Sequence, residues 1–262
     1  MSGYKGLQRY PSDLWEGDGG IKGHRSVHKF GDSVDLVSTY SPIVRGGLYQ
    51  MRKPADAEYL RIKAGGDAAD AAAGLGAQSF TFEYIDAFGQ KRVNDVATAG
   101  ALASAQTQHK AIRFFRGYVS GSGTYADMTA QSHVGQINIE GVSTGNDWGR
   151  VVLDNRSQGQ TQIGMFPVAL GERALLRSVM FTVTSGKPTD FTMFRRDNFL
   201  IEAAPYKPMK TKTEFFGITD KHHHAFKVPK RFEALSEFGF LARSADPLAY
   251  ASVTMEITVI KD

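Results

Sequence analysis

Polar and apolar residues alternate with a period of two along much of this chain, and no 10–15-residue helical pattern separates the alternating runs. The clearest run is 251–260, where Val253, Met255, Ile257 and Val259 face one way and Thr254, Glu256 and Thr258 the other. Successive side chains on a strand point to opposite faces, so this pattern predicts a strand with one buried face. Residues 58–64 repeat it, with Leu60, Ile62 and Ala64 against Tyr59, Arg61 and Lys63. In 79–85, Phe80, Phe82 and Tyr84 oppose Thr81 and Glu83; the run meets Asp86-Ala-Phe-Gly89, a turn sequence, and 91–96 is the predicted return strand.

The longest apolar stretch is 160–183. It reads as two strand runs joined at the corner Pro167–Gly171, a hairpin at the centre of the fold. Strict alternation puts Leu176, Met180 and Thr182 on one face and Leu175, Val179, Phe181 and Val183 on the other, so both faces are mostly apolar, as in a strand covered on two sides. Further short strands are expected at 34–38, 110–119, 134–140, 191–196, 211–218, 222–228 and 238–243. The Ala-rich 65–76 has room for about two helical turns between its glycines, and 98–108 for a short helix or a loop.

Strands this short and frequent predict an all-β chain, an antiparallel β-sandwich or jelly roll. Residues 1–32 lack either period and read as an extended N-terminal arm. The rest divides into a first β lobe, 33–157, and a second, 158–262, or forms one continuous sandwich.

The chain has 262 residues, 42% of them hydrophobic, enough for one large or two small β domains. It has no cysteine, which removes disulfides, thiol catalysis and Cys-based metal sites and suits a reducing compartment. No apolar run approaches the roughly 20 residues of a membrane-spanning helix. The N-terminus lacks the apolar core of a secretion signal, so Met1 is expected to begin the mature chain.

The net charge of +4 is concentrated: residues 195–231 hold nine Lys or Arg against four acids. A basic surface there would face nucleic acid or an acidic protein partner, or it is a solvated sheet face. Candidate chemistry is sparse. His222 and His224 would share a strand face next to His223, and imidazoles bind transition metals, but Asp220 is the only nearby carboxylate. Asp67 with Asp70, and Glu83 with Asp86, are the carboxylate pairs available for acid/base work; turn and surface roles are expected for them. No G-x-S-x-G elbow is present, and the short glycine pairs are not phosphate loops. Arg113-Phe-Phe-Arg116 mixes cations and aromatics, as single-strand binders do, but reads as a strand with core aromatics. Asn155-Arg-Ser157 is a formal glycosylation sequon. No catalytic, cofactor-binding or metal residue is assigned.

One ordered series of motifs stands out: AAGLGAQSFTFEYIDAFG at 72–89, Gly135-Gln-Ile-Asn-Ile139 after a Gly/Ser tip, and the 162–181 stretch with its Pro-x-x-x-Gly corner. Over about two thirds of the chain this series resembles virion-associated proteins of tailed phages. The corner Pro167-Val-Ala-Leu-Gly171-Glu172 departs from that pattern by one insertion and a charge reversal. The resemblance implies a non-enzymatic β-sandwich particle component, a capsid decoration or cement protein, with a tail fibre or glycan-binding module as the alternative. In the latter, Trp148 would be a stacking platform beside the 120–124 and 141–149 loops. The partners implied are the major capsid protein or other virion proteins and copies of the chain itself, a trimer being favoured; no cofactor, nucleic acid or membrane is expected. Partner contact is assigned to Tyr4, Tyr10 and Trp15 of the arm and to Lys207, Lys210, Lys212 and Arg231.

Overall fold

The computed structural model describes residues 23–33, 36–46, 49–125, 132–153, 159–246 and 248–261. The first strands are β1 (His24–Ser33), β2 (Ser41–Pro42), β3 (Leu60–Ile62), β4 (Ala77–Asp86) and β5 (Lys91–Ala97). Next come β6 (Ala111–Ser122), β7 (Ile137–Gly141), β8 (Asp147–Val151), β9 (Met165–Pro167) and β10 (Glu172–Val183). The last are β11 (Thr189–Arg196), β12 (Lys210–Ile218), β13 (Lys221–Phe232), β14 (Glu237–Arg243) and β15 (Ala251–Lys261). All pairings between these strands are antiparallel.

Two sheets face each other as a sandwich. One has the order β1-β15-β10-β13; the other is β12-β11-β14-β2, with β9 also on β14. Between them lie Leu176, Val179, Phe181, Phe191, Phe240, Val253, Met255 and Ile257, all buried. The ring of Phe181 lies 4.3 Å from that of Phe191 and 5.2 Å from that of Phe240, so aromatic contact crosses from sheet to sheet. An inner lobe holds the smaller sheets β3-β7-β8 and β5-β4-β6 around Phe80, Phe82, Tyr84, Phe114, Ile139 and Trp148. Its core also takes in Met165 and Phe194 from sandwich strands, and a third cluster of Ile85, Ile112, Phe115, Ala169 and Phe199 bridges the two regions.

The antiparallel β-sandwich expected from the alternation is present, and β15 follows it closely: Val253, Met255, Ile257 and Val259 are all buried. The order of the parts differs from the sequence reading. The arm was to end at residue 32, yet His24–Ser33 pairs along its whole length with β15. Likewise β2 pairs with β14, so these early strands join the sheets built by residues 163–261. The inner lobe is therefore a long excursion between β2 and β9.

The central stretch is also corrected. β9 and β10 do not pair; β9 lies on β14, while β10 lies between β13 and β15. The corner at 167–171 thus carries the chain from one sheet to the other. A bulge between Leu176 and Ser178 shifts the phase of β10. Leu176 therefore joins Ala174, Val179, Phe181 and Val183 on the buried face, while Leu175, Met180 and Thr182 are half-buried.

Neither Ala-rich stretch is helical; the helical turn among the described residues is the 3-10 turn Pro54–Asp56. Residues 65–76 instead wrap around the buried Asp70. Its Oδ1 accepts from the Ala77 and Val134 amides at 2.7 and 2.9 Å and its Oδ2 from Gly135 at 2.7 Å. A side chain on Gly76 would run into that carboxylate, which explains the glycine there. At the β4–β5 turn, Asp86 Oδ1 accepts from the amides of Phe88 and Gln90, both at 2.9 Å, and Gly89 takes φ 79°.

Candidate interaction surface

β12 and β13 follow one another at the same side of the sandwich, each the edge strand of its own sheet. Half-buried and exposed positions alternate along β13 up to Lys227 and along β12 from Lys212 to Phe216. Thr213, Phe215 and Ile218 on β12, and His222, His224 and Phe226 on β13, are half-buried. The Phe215 ring lies 4.9 Å from Phe181, 5.8 Å from His222 and 5.3 Å from His224, closing the side of the core. The opposite positions are exposed: Lys210, Lys212, Glu214 and Phe216 on β12, and Lys221, His223, Ala225 and Lys227 on β13.

Between Ala225 and Lys230 the register of β13 against β10 is broken. Val228 within that bulge is 77% exposed, and Pro229 follows it. Proline cannot donate to a ladder, and lysines and bulges discourage strand addition. The long edge is therefore open to solvent and guarded against pairing with another strand. It offers a basic side-chain surface: Lys210, Lys212, Lys221, Lys227, Lys230 and Arg231, with Glu214 and Asp220 as the interspersed acids. Arg231 donates from Nε to Glu233 at 2.7 Å, a solvated pair of little energetic weight.

Four of the seven residues predicted for partner contact are placed here. Lys210 and Lys212 stand on the outward face of β12 and Arg231 near the end of β13, while Lys207 precedes them at the mouth of a cleft. Tyr4, Tyr10 and Trp15 lie outside the described residues, as does the 155–157 sequon. His222 and His224 share a face as expected, their rings 6.5 Å apart and stacked, with aromatic neighbours. Among the described residues no group of three or more His, Asp or Glu side chains is arranged to hold a metal ion.

The other candidates have structural partners. Glu83 pairs with Lys91 at 2.9 Å and Arg116 at 3.6 Å, and Asp86 with Arg92 at 2.7 Å. Trp148 is not a surface platform: it is 1% exposed, and its indole N–H donates to the buried Glu58 carboxylate at 2.8 Å. Phe114 and Phe115 of the Arg-Phe-Phe-Arg cluster are core, as read from the sequence, but Arg113 is core as well.

Arg113 marks what sequence reasoning missed. It donates to Glu237 through Nε at 2.5 Å and Nη2 at 3.0 Å, with both side chains at most 1% exposed. Its Nη1 donates to the Arg52 carbonyl at 2.6 Å, and its guanidinium lies 5.0 Å from the Phe199 ring. Burial alone would lower the Arg113 pKa, but the Glu237 charge and hydrogen bonds outweigh it and hold the guanidinium protonated. Tyr49 donates to the same carboxylate at 3.5 Å; burial and then Glu237 push its phenol well above the usual value. Beside this pair opens a cleft of about 330 Å³ between the two lobes, lined by residues that include Arg52, Lys53, Arg196, Phe199 and Lys207. Near the other end of the junction Lys29 of β1 is buried and donates to the Phe115 carbonyl. Burial, reinforced by Arg116, lowers its pKa from 10.5 to about 7.

No protein-family model matches the chain, and no curated protein matches it. Among solved structures, it is similar over 93% of its length, and over 74% of the other chain, to one from infectious bursal disease virus Gt strain, at 8% identity and a TM-score of 0.25. A similar superposition is found with the VP2 subviral particle of infectious bursal disease virus, covering 92% of this chain and 73% of that one, at 10% identity and a TM-score of 0.21. At such low TM-scores the likeness carries no argument about function here.

Proposed function

We propose that this chain is a non-enzymatic structural component of a virus particle, a decoration or cement protein that binds a shell built by another protein. The observation that carries this reading is the β12–β13 edge, a basic surface guarded against strand addition. Such a surface suits docking by charge onto an acidic neighbour. The motif series shared with tailed-phage virion proteins supports the same reading. So does the use of Asp70, Asp86, Glu83, Glu58 and Glu237 in structural bonds, which occupies the Glu83/Asp86 pair and one member of the Asp67/Asp70 pair.

The arm, with Tyr4, Tyr10 and Trp15, would hold neighbouring subunits, and a closed trimer is the proposed assembly, since shells offer three-fold axes. Quantitative mass spectrometry on purified particles tests the reading. Hundreds of copies per particle are expected, with loss of the protein from particles when Lys210, Lys212 and Lys227 are changed to Glu. Absence from particles overturns it, and about a dozen copies or fewer would move the protein to a vertex or the tail.

A further inference from the structure

The cleft at the lobe junction has a charge balance that its own carboxylates do not meet. Five cations line it: Arg52 and Lys53 from the segment before β3, Arg113 from β6, Arg196 at the end of β11, and Lys207 beyond it. Three carboxylates answer them. Asp56 lies 3.8 Å from Lys53, Glu58 lies 3.3 Å from Arg52, and Glu237 is shared. Glu237 binds Arg113 through both oxygens and accepts from Tyr49, so Arg196 reaches it only at 3.5 Å. The Nε atoms of Arg52 and Arg196 are buried and have no hydrogen-bond partner. Buried guanidinium donors left without an acceptor are uncommon, so Glu58 and Glu237 do not exhaust what these two side chains can bind, and guanidinium groups favour oxyanions. Lys207 is exposed at the mouth and in no ion pair with a described residue.

The remaining wall holds Asn198 and, beside it, an apolar part made by Met51, Phe199, Ile201 and the Tyr206 ring. A volume of about 330 Å³ exceeds what a bare phosphate fills and lies at the lower end of small-molecule sites. We propose that this cleft binds an oxyanion carried on a small apolar or aromatic body, a phosphate monoester or a carboxylate. Arg52 and Arg196 supply the donors, Lys207 closes over the charge, and Phe199 with Tyr206 takes the body. Arg113 is the positioning residue: held by Glu237, it fixes the floor against which the other two guanidinium groups are set. The site does not depend on the particle role proposed above, and its test needs no particle.

The test is titration calorimetry on the full chain at constant ionic strength, with inorganic phosphate, phenyl phosphate and benzoate as probes. Saturable one-to-one binding of phenyl phosphate is expected, at least fivefold tighter than inorganic phosphate because the ring adds apolar contact. Benzoate binding more tightly than phenyl phosphate would assign the carboxylate source, and weaker binding the phosphate source. Lys207→Gln, on an exposed side chain, should weaken phenyl phosphate at least fivefold, and Arg196→Gln should do the same with the thermal midpoint recorded alongside. Lys261→Gln, far along β15, should leave the affinity unchanged. No saturable binding of any probe overturns the proposal, as does phenyl phosphate binding that Lys207→Gln and a folded Arg196→Gln leave intact.

Discussion

The lobe junction and the β12–β13 edge use the same residue types to opposite ends. At the junction Arg113 and Glu237 are out of water, and every hydrogen bond they make is internal. At the edge Lys210, Lys212 and Lys227 are exposed, and a charge there costs little to fold. Breaking a buried ion pair leaves an uncompensated charge in a low-dielectric interior, while altering an exposed charge leaves the fold almost untouched. Fold stability is therefore sensitive at the first region, and partner recognition at the second.

Four perturbations test that contrast, from the largest effect to the smallest. Glu237→Ala strands Arg113 and Arg196, and should cost about 3–5 kcal/mol in urea unfolding; the double variant Arg113→Met/Glu237→Leu should recover most of the loss. Equal losses in the single and double variants would show that packing, not charge, dominates the junction.

Lys29→Met should be stabilising by a few kcal/mol near pH 6. The sign follows from the depressed folded pKa of about 7 against 10.5. Between these values the unfolded chain binds the proton that the native state does not, so this group's contribution makes stability rise with pH across the window. The deficit is full below about 7 and gone above 10.5. The variant should lose that slope, and parallel stability–pH profiles for the two proteins would refute it.

Trp148→Phe keeps an aromatic ring but a smaller one, and removes one donor to Glu58, which retains the Thr144 hydroxyl at 2.8 Å and Arg52. A loss of about 1–3 kcal/mol is expected by thermal melting. Least of all should Lys210→Glu/Lys212→Glu/Lys227→Glu change stability, by about 0.5 kcal/mol or less per site. A large shift in the midpoint would mean that the edge is structural after all.

Much of the fold is legible in the sequence because a one-sided strand leaves a period-two trace. Val253, Met255, Ile257 and Val259 are buried where the pattern puts them, as are Phe80, Phe82 and Tyr84. What failed is non-local. Alternation says which face a residue takes but not which strand lies beside it, so β9 and β10 read as a hairpin although they join different sheets. A bulge inverts the phase without any mark in composition, hence the misplacement of Leu175 and Leu176.

At the candidate surface, the concentration of Lys and Arg at 195–231 was legible, but not that six of the nine lie together on an edge while Arg195, Arg196 and Lys207 lie elsewhere. The cleft left no such trace. Arg113 and Glu237 are separated by 124 positions, and each alone looks like an ordinary surface charge. Arg113 between buried neighbours Ile112 and Phe114 was the one available hint. Trp148 followed the same logic in reverse: an indole in a turn-rich stretch looked exposed, and the distant Glu58 drew it inside.

The pairing of β1 with β15 sets an order of events during synthesis. His24–Ser33 leaves the ribosome long before its neighbour, Ala251–Lys261, has been made. The excursion between β2 and β9 can form its sheets while elongation continues, since β3 to β8 pair among themselves and with other residues of the same excursion. The sandwich cannot close until β15 has been made, so nascent chains expose β1 and β10 without their shared neighbour. Contacts this distant in sequence form slowly. A chain truncated before residue 251 would keep the material of the inner lobe yet lack the strand that joins β1 to β10, and premature termination should yield aggregation instead of partly working protein.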